Sequence, residues 1–130
     1  MPVLIVDDDA FAARALARGL GNVAVVAYDL DAGLRLVAER RPAVLLLDRL
    51  FEGEARTGTD LIDTVRRLSP RTCVLIVTAH VEAADQERAM RAGACGYFDK
   101  RDVGALREAV LALLEADGDG EEVEGTVALH

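Results

Sequence analysis

Short runs of aliphatic residues alternate along the chain with longer stretches in which apolar residues recur every three or four positions. The runs are residues 3–6, 22–28, 43–48, 72–79 and 94–98. Continuous apolar runs of this length predict strands that are buried on both faces of a sheet. Because an amphipathic stretch follows each run, the pattern predicts five strands that alternate with five helices.

The helical periodicity is strong in the first, second, third and fifth of these stretches and weaker in the alanine-rich residues 81–92. In the fifth stretch Leu106, Val110 and Leu113 share one face at helical spacing. Strands that alternate with helices in this way favour an α/β fold, with a doubly wound parallel five-stranded sheet and right-handed crossovers.

The length of 130 residues and the hydrophobic content of 52% fit one compact domain with a substantial core. We assign that domain to residues 1–116, and we expect residues 117–130, which are rich in glycine and acids, to form a solvated tail. No apolar run approaches the roughly 20 residues that span a bilayer. No basic secretory region precedes the first strand, so we expect a cytoplasmic protein without a membrane contact.

The charge balance narrows the class of partner. The formal charge is −8, but five acids lie in the tail, which leaves −3 for residues 1–116 (15 basic and 18 acidic residues). The sequence has no basic stripe of the kind that binds phosphate backbones, so we expect protein partners and no direct nucleic-acid binding. Cys73 and Cys95 lie among apolar or small residues, and we expect both to be small buried hydrophobic side chains without a chemical role.

Candidate chemistry lies where the predicted strands end. Three aspartates at 7–9 follow the first strand, Asp48 ends the third, Thr78 lies at the end of the fourth, and Lys100 follows the fifth. In doubly wound sheets the functional crevice lies beyond the carboxyl ends of the strands. The sequence therefore brings acids, a hydroxyl and an amine to one edge.

Carboxylates at close range repel each other unless a cation lies between them. Hard oxygen ligands without a nearby histidine or thiolate favour Mg²⁺, which is commonly held by one or two carboxylates together with phosphate oxygens. Asp48 can then act as a carboxylate nucleophile, with Lys100 and the ion neutralising phosphoryl oxygens and Thr78 donating a hydrogen bond to one of them.

Four motifs in this order, IVDDD, LLLD, VTA and GYFDK, resemble the receiver domain of bacterial two-component response regulators over residues 2–115, in its chemotaxis-type single-domain class. The resemblance implies a flavodoxin-like (βα)5 fold with strand order 2-1-3-4-5. It implies that Asp48 is the phosphoacceptor and that Asp7 and Asp8 are the acid pair that binds Mg²⁺ with Asp48. The implied set also contains the main-chain carbonyl of Leu50 as a metal ligand.

The resemblance further implies that Thr78 and Lys100 are the switch hydroxyl and the phosphoryl-binding lysine, and that Tyr97 is the switch aromatic. A histidine kinase or a histidine phosphotransfer protein would supply the phosphoryl group. A downstream protein target would read the switch, and the chain would be a monomer or a weak phosphorylation-dependent dimer. The domain would assist its own phosphorylation and dephosphorylation without being an enzyme for another substrate.

Two departures from the family pattern concern loops. The family usually has a proline four residues after the phosphoacceptor and a glycine about eight after it, whereas this chain has Glu52 and then Gly58, ten residues after Asp48. Proline commonly follows the lysine through a cis peptide, and here that residue is Arg101. These changes affect the expected docking of partners more than the chemistry.

Alternatives stay open at this stage. The chain could be the N-terminal receiver of a larger regulator, for example a DNA-binding one, or a pseudo-receiver that acts only as an interaction module. A flavodoxin-like phosphate or flavin carrier is disfavoured because three aspartates would repel a phosphate. A haloacid-dehalogenase-type phosphohydrolase would need an acid where Leu50 stands. Asp9 is interpreted as a helix N-cap, and His80 as a solvent-facing residue that could modulate water access.

Overall fold

The structure is a computed structural model that describes residues 2–21 and 23–128, with side chains as far as residue 117. The strands are β1 (Val3–Val6), β2 (Ala24–Ala27), β3 (Val44–Asp48), β4 (Cys73–Thr78) and β5 (Gly96–Asp99). The helices are α1 (Ala10–Gly19), α2 (Leu30–Arg40), α3 (Ile62–Leu68), α4 (Ala83–Ala92) and α5 (Val103–Ala128), and a 3-10 turn at Thr59–Leu61 precedes α3.

All five strands form one parallel sheet in the order β2-β1-β3-β4-β5. This confirms the doubly wound, flavodoxin-like fold and its 2-1-3-4-5 strand order. The second strand lies at an edge of the sheet, and β1, β3 and β4, whose residues are almost all apolar, occupy its centre. A strand that is covered on both faces needs such continuous apolar sequence.

Successive residues of each central strand enter two separate cores. Leu45 and Leu47 belong to the core on the side of α2, α3 and α4, while Val44 and Leu46 belong to the core on the side of α1 and α5. The alternation follows from the pleat, which directs neighbouring side chains to opposite faces. It also determines the direction of the residues just beyond each strand, where the polar side chains lie.

The helix starts agree with local sequence signals. Asp9 is the N-cap of α1, as predicted, and its side chain accepts a hydrogen bond from the Ala12 N–H at 3.1 Å. Asp29 caps α2 in the same way through Ala32 at 2.8 Å. Short polar side chains satisfy the free amides of a first helical turn, so each cap fixes the point where the chain leaves a strand end and enters a helix.

Two local features differ from the sequence expectations: the C-terminal segment and the burial of the two cysteines. The backbone of α5 continues to Ala128, so most of the segment assigned to a tail is helical. Cys95 is exposed and Cys73 is only half-buried, because both lie at the amino ends of strands rather than in their buried middles. None of the peptide bonds that the structure describes is cis, including the bond after Lys100.

Within the described residues, no helix has the length and apolar content needed to cross a membrane.

The division into a domain and a C-terminal segment remains a prediction with a direct test. Among the residues of α5 whose side chains the structure describes, 103–117, the fully buried ones are Leu106 and Val110. We therefore expect truncation after Ala116 to leave the thermal midpoint nearly unchanged in a calorimetric scan and to alter the salt dependence of partner association. A fall of more than about 5 °C would show that the segment belongs to the folded core.

Candidate functional site

The register of β1 and β3 places two buried carboxylates side by side at the carboxyl edge of the sheet. Val6 is paired with Leu47, so the next residues, Asp7 and Asp48, are neighbours. Their residues are only 5% and 6% exposed, whereas Asp8 is exposed. One carboxylate oxygen from each of the three residues lies within 4.8 Å of the others. The sheet thus forces three acids into a volume in which they repel.

Lys100 compensates the two buried acids. Its Nζ lies 2.9 Å from Asp7 Oδ2 and 3.1 Å from Asp48 Oδ2. Its backbone N–H donates to the Thr78 carbonyl at 2.9 Å, which extends the pairing of β4 with β5 by one residue. The amine is therefore held by the sheet and not only by its flexible stem. A buried charge pair of this kind is sensitive to the loss of either partner.

The pKa values of Asp48 and Lys100 reflect the balance between burial and these charges. Burial, and after it the neighbouring Asp7 charge, raises the pKa of Asp48 to about 7, against the opposing effect of Lys100. Burial disfavours the charge of Lys100, but its hydrogen bonds and attraction to Asp7 and Asp48 raise the pKa of the amine above its ordinary value. One ammonium group therefore does not fully compensate the acids, and an additional cation is favoured there.

The donor set fits a hard divalent cation. It consists of carboxylate oxygens from Asp7, Asp8 and Asp48, the ligand type that Mg²⁺ and Ca²⁺ prefer. Two of these side chains are held by backbone amides: the Glu52 N–H donates to Asp8 Oδ2 at 2.8 Å, and the Asp9 N–H donates to Asp7 Oδ1 at 2.9 Å. The acids are thus oriented before any ion binds.

An open cleft of about 280 Å³ connects the acids to solvent. Its lining contains Asp8, Asp48, Leu50, Glu52, Thr78, Ala79, His80 and Lys100. The structure therefore brings together the predicted residues Asp8, Asp48, Leu50, Thr78 and Lys100, with Asp7 directly behind them. The exposed His80 lies in the same cleft, and the carbonyl of Leu50 remains a predicted ligand.

Thr78 lies in the cleft, but its hydroxyl is engaged by its own loop. It donates to the His80 carbonyl at 3.1 Å and accepts from the His80 N–H at 3.2 Å. The residue is 2% exposed, so its side chain has little contact with water. A hydrogen bond from Thr78 to a group on Asp48 would require this local turn to open.

Tyr97 does not line the cleft. It is buried on the α4 side of the sheet, where its hydroxyl donates to Asp85 Oδ2 at 2.7 Å. Burial and the Asp85 contact raise the pKa of the Tyr97 phenol to about 12. Sequence reasoning missed Asp85 and its neighbour Arg49. The available signal was the spacing of Asp85 four residues before the buried Ala89, which places an acid on the inner face of α4.

The longer loop after Asp48 closes on a glycine for a steric reason. The Gly58 N–H donates to the Arg49 carbonyl at 2.7 Å, and a Cβ on Gly58 would lie 2.2 Å from the Asp48 carbonyl oxygen. The φ angle of Gly58 is −57°, so the requirement comes from this close approach and not from an unusual backbone conformation. In this chain the close approach occurs ten residues after the phosphoacceptor position, at Gly58.

The raised pKa of Asp48 predicts that the free energy of unfolding depends on pH. In metal-free protein the folded state holds the Asp48 proton more tightly than the unfolded state does. The resulting contribution to stability is fully present below the ordinary pKa near 4 and is lost as the pH rises through about 7. We expect Asp48→Asn to be more stable than the natural protein at pH 8, and this advantage to shrink toward pH 5 by on the order of 1–3 kcal/mol. Urea unfolding with a chelator measures the difference.

Asp63→Asn, an exposed site on α3, is the matched control and should show no such pH-dependent advantage. If Asp48→Asn were more stable than the natural protein by the same amount at pH 8 and at pH 5, the stabilisation would not come from the charge of Asp48.

Comparison with known proteins gives relatives along most of the chain. Residues 3–111 match the response regulator receiver domain. The photosynthetic apparatus regulatory protein RegA of Rhodovulum sulfidophilum is 33% identical over 119 residues, which cover 88% of this chain and 63% of RegA. The nitrogen assimilation regulatory protein NtrX of Azorhizobium caulinodans is 31% identical over 101 residues, 75% of this chain and 22% of NtrX. The chain thus spans less than two thirds of either relative.

A similar solved structure is a response regulator protein from Burkholderia pseudomallei with a phosphorylated aspartic acid, a calcium ion and citrate. It is 25% identical, with a TM-score of 0.76, and the match covers 98% of this chain and 74% of that one. The family match, the strand order and the acid cluster beside Lys100 agree. This chain belongs to the response regulator receiver domain family.

Proposed function

We propose that the chain is a stand-alone receiver that accepts a phosphoryl group on Asp48 from a histidine kinase or a histidine phosphotransfer protein and signals through a Mg²⁺-dependent change of conformation. The observation that carries the proposal is the position of the Asp48 carboxylate. It lies in the open cleft, 3.1 Å from Lys100 Nζ and beside two further acids.

The charges around Asp48 suit a nucleophilic carboxylate. An ionised oxygen must attack phosphorus, and a raised pKa leaves much of the metal-free group protonated near neutral pH. Lys100 favours the ionised form. A divalent ion held by Asp7, Asp8, Asp48 and the Leu50 carbonyl would favour it further and would neutralise charge on the phosphoryl oxygens.

In the proposed transfer step, the phosphoryl group moves from a histidine nitrogen of the donor to an oxygen of Asp48. An Asp48 oxygen forms a bond to phosphorus as the P–N bond of the donor phosphohistidine breaks, and the released imidazole nitrogen takes up a proton. The product on Asp48 is an acyl phosphate. Lys100 would bind one of its oxygens, and the contact of its amine with Asp48 supports this role. Thr78 would bind another after leaving His80.

The output is proposed to be a protein target. The charge of −8 disfavours nucleic-acid binding by this chain. The alternative is a receiver that works within a longer regulator, an arrangement favoured by the greater length of RegA and NtrX. An immunoblot of the native protein separates the two, because a longer regulator migrates well above a chain of 130 residues. A purely structural pseudo-receiver is less well supported, since the acids and the lysine are all present and in contact.

Phosphorylation of Asp48 has a direct test. With Mg²⁺ and acetyl phosphate, we expect intact-mass analysis to show one added phosphoryl group in the natural protein and none in Asp48→Asn, because the amide is not a nucleophile. Asp63→Asn on α3 should label normally. Undiminished labelling of Asp48→Asn would show that the acceptor lies elsewhere.

Metal binding is tested separately at Asp8, whose exposed side chain contributes little to the core. We expect Asp8→Ala to weaken Mg²⁺ binding at least about tenfold in calorimetric titration, because one of the three carboxylate donors is lost. The fold should stay intact, since a repelling charge is removed. Asp9→Ser keeps the helix cap and serves as the control. An unchanged Mg²⁺ affinity in Asp8→Ala would contradict this ligand set.

A further inference from the structure

A buried cluster of polar side chains lies behind the phosphoacceptor strand, on the α4 side of the sheet. Its members are Arg49, Thr59, Asp85 and Tyr97, and Asp85 is at its centre. Asp85 Oδ2 accepts hydrogen bonds from Tyr97 Oη at 2.7 Å and Thr59 Oγ1 at 3.0 Å, and it lies 3.1 Å from Arg49 Nε. The Asp85 side chain is 7% exposed. We call these four residues the Asp85 cluster.

The Asp85 cluster joins three separate parts of the fold. Arg49 begins the loop after the phosphoacceptor and Thr59 follows its end, with the loop closed by the bond from Gly58 N–H to the Arg49 carbonyl. Asp85 belongs to the first turn of α4, and Tyr97 to β5. One carboxylate therefore ties both ends of the loop, the start of α4 and an edge strand together.

Arg49 is held firmly by charge but incompletely by hydrogen bonds. Its side chain is 14% exposed and also contacts Glu82 Oε2 at 3.2 Å. Yet Nε is a buried donor with no hydrogen bond among the described residues, although Asp85 Oδ2 is within ion-pair distance. A buried donor without a well-directed acceptor is unfavourable. A conformation in which Arg49 Nε finds a well-directed acceptor would therefore compete with this one.

The Asp85 cluster is placed to respond to the charge of Asp48. Arg49 is the next residue along the chain, and a phosphoryl group would add close to two negative charges there. That charge attracts the Arg49 guanidinium and repels Asp85 and Glu82. The same group can bind Thr78 only after Thr78 leaves His80.

The response of Thr78 can reach Tyr97 through the sheet. Ile76 is paired with Tyr97, and Thr78 lies two residues farther along β4, so its side chain is directed to the same face. Tyr97 and Thr78 thus border the same region below α4. A movement of the Thr78 loop would therefore alter the packing on the face of the sheet where Asp85 holds the Tyr97 phenol.

We propose that Asp85 is a positioning residue that fixes α4 and Tyr97 in the unphosphorylated state, and that the Asp85 cluster opens when Asp48 is phosphorylated. The cluster then sets the free-energy difference between the two states. This inference rests on the proposed phosphorylation of Asp48. By linkage, weakening interactions that exist only in the unphosphorylated state must increase the affinity for a phosphoryl group or its analogue.

The test uses variants that do not leave a buried charge without a partner. Arg49→Met with Asp85→Asn removes both charges of the central pair, since removing one alone would be strongly destabilising. Tyr97→Phe removes a single hydroxyl and serves if the double variant does not fold. Arg67→Met with Asp63→Asn makes the same chemical changes at exposed positions of α3 and is the matched control.

Two measurements are made on each protein: the affinity for fluoroberyllate, a phosphoryl analogue, by calorimetry with saturating Mg²⁺, and the amide hydrogen exchange of residues 83–92. In the natural protein and the control, fluoroberyllate should bind equally and increase exchange at the start of α4. In the double variant, exchange should already be raised without the analogue, and fluoroberyllate should bind about 3–10-fold tighter. Tyr97→Phe should shift both in the same direction by a smaller factor.

The outcomes separate the two proposals. Affinity within twofold of the natural protein, together with a lowered urea stability, would make the cluster a purely structural contact and overturn the inference while leaving Asp48 phosphorylation intact. Weaker binding would assign the cluster to the phosphorylated state, which also overturns it. No fluoroberyllate binding by the natural protein, with no labelling by acetyl phosphate, would overturn the proposed function and this inference together.

Discussion

The repulsion among Asp7, Asp8 and Asp48 at one edge of the sheet is the constraint around which the remaining contacts are arranged. Two of the acids are almost fully buried, and burial of like charges is unfavourable unless cations compensate them. Lys100, which directly follows β5, supplies one positive charge, and the pKa of Asp48 stays raised in spite of it. A site that is undercompensated in this way binds a cation more readily than a neutral pocket would, at some cost to the stability of the metal-free protein.

The sheet makes this arrangement possible because its apolar strands fix the backbone on which the acids stand. Leu46 and Leu47 are each buried in a different core, so β3 cannot shift by one residue without moving both side chains to the wrong face. The pairing of Val6 with Leu47 therefore determines the separation of Asp7 and Asp48. The hydrophobic burial of the strands therefore stabilises the backbone positions that keep these carboxylates close together.

Much of this could be predicted from the sequence, because the informative residues are local. Apolar runs predicted every strand, and the residues that end the strands predicted Asp7, Asp8, Asp48 and Lys100 as neighbours, since parallel strands share one carboxyl edge. The Asp85 cluster could not be predicted in this way. Its members are brought together by loop closure and by the rotation of α4, which hydrophobic periodicity in a weak, alanine-rich helix does not determine. The exposure of Cys95 was missed because strand ends are uncertain by a residue or two.

The neighbouring positions of Asp48 and Arg49 explain how one strand end can serve both chemistry and signalling. Pleating sends Asp48 toward the acids and Arg49 toward α4, so adjacent residues belong to two different polar networks. In the proposed switch, a change of charge on Asp48 acts on Arg49, the adjacent residue, without a long chain of intermediate contacts. Thr78 and Tyr97 provide a second connection between the same two networks, through the pairing of β4 and β5. Because both connections end at α4, we expect the proposed phosphorylation of Asp48 to have its largest effect at the start of that helix.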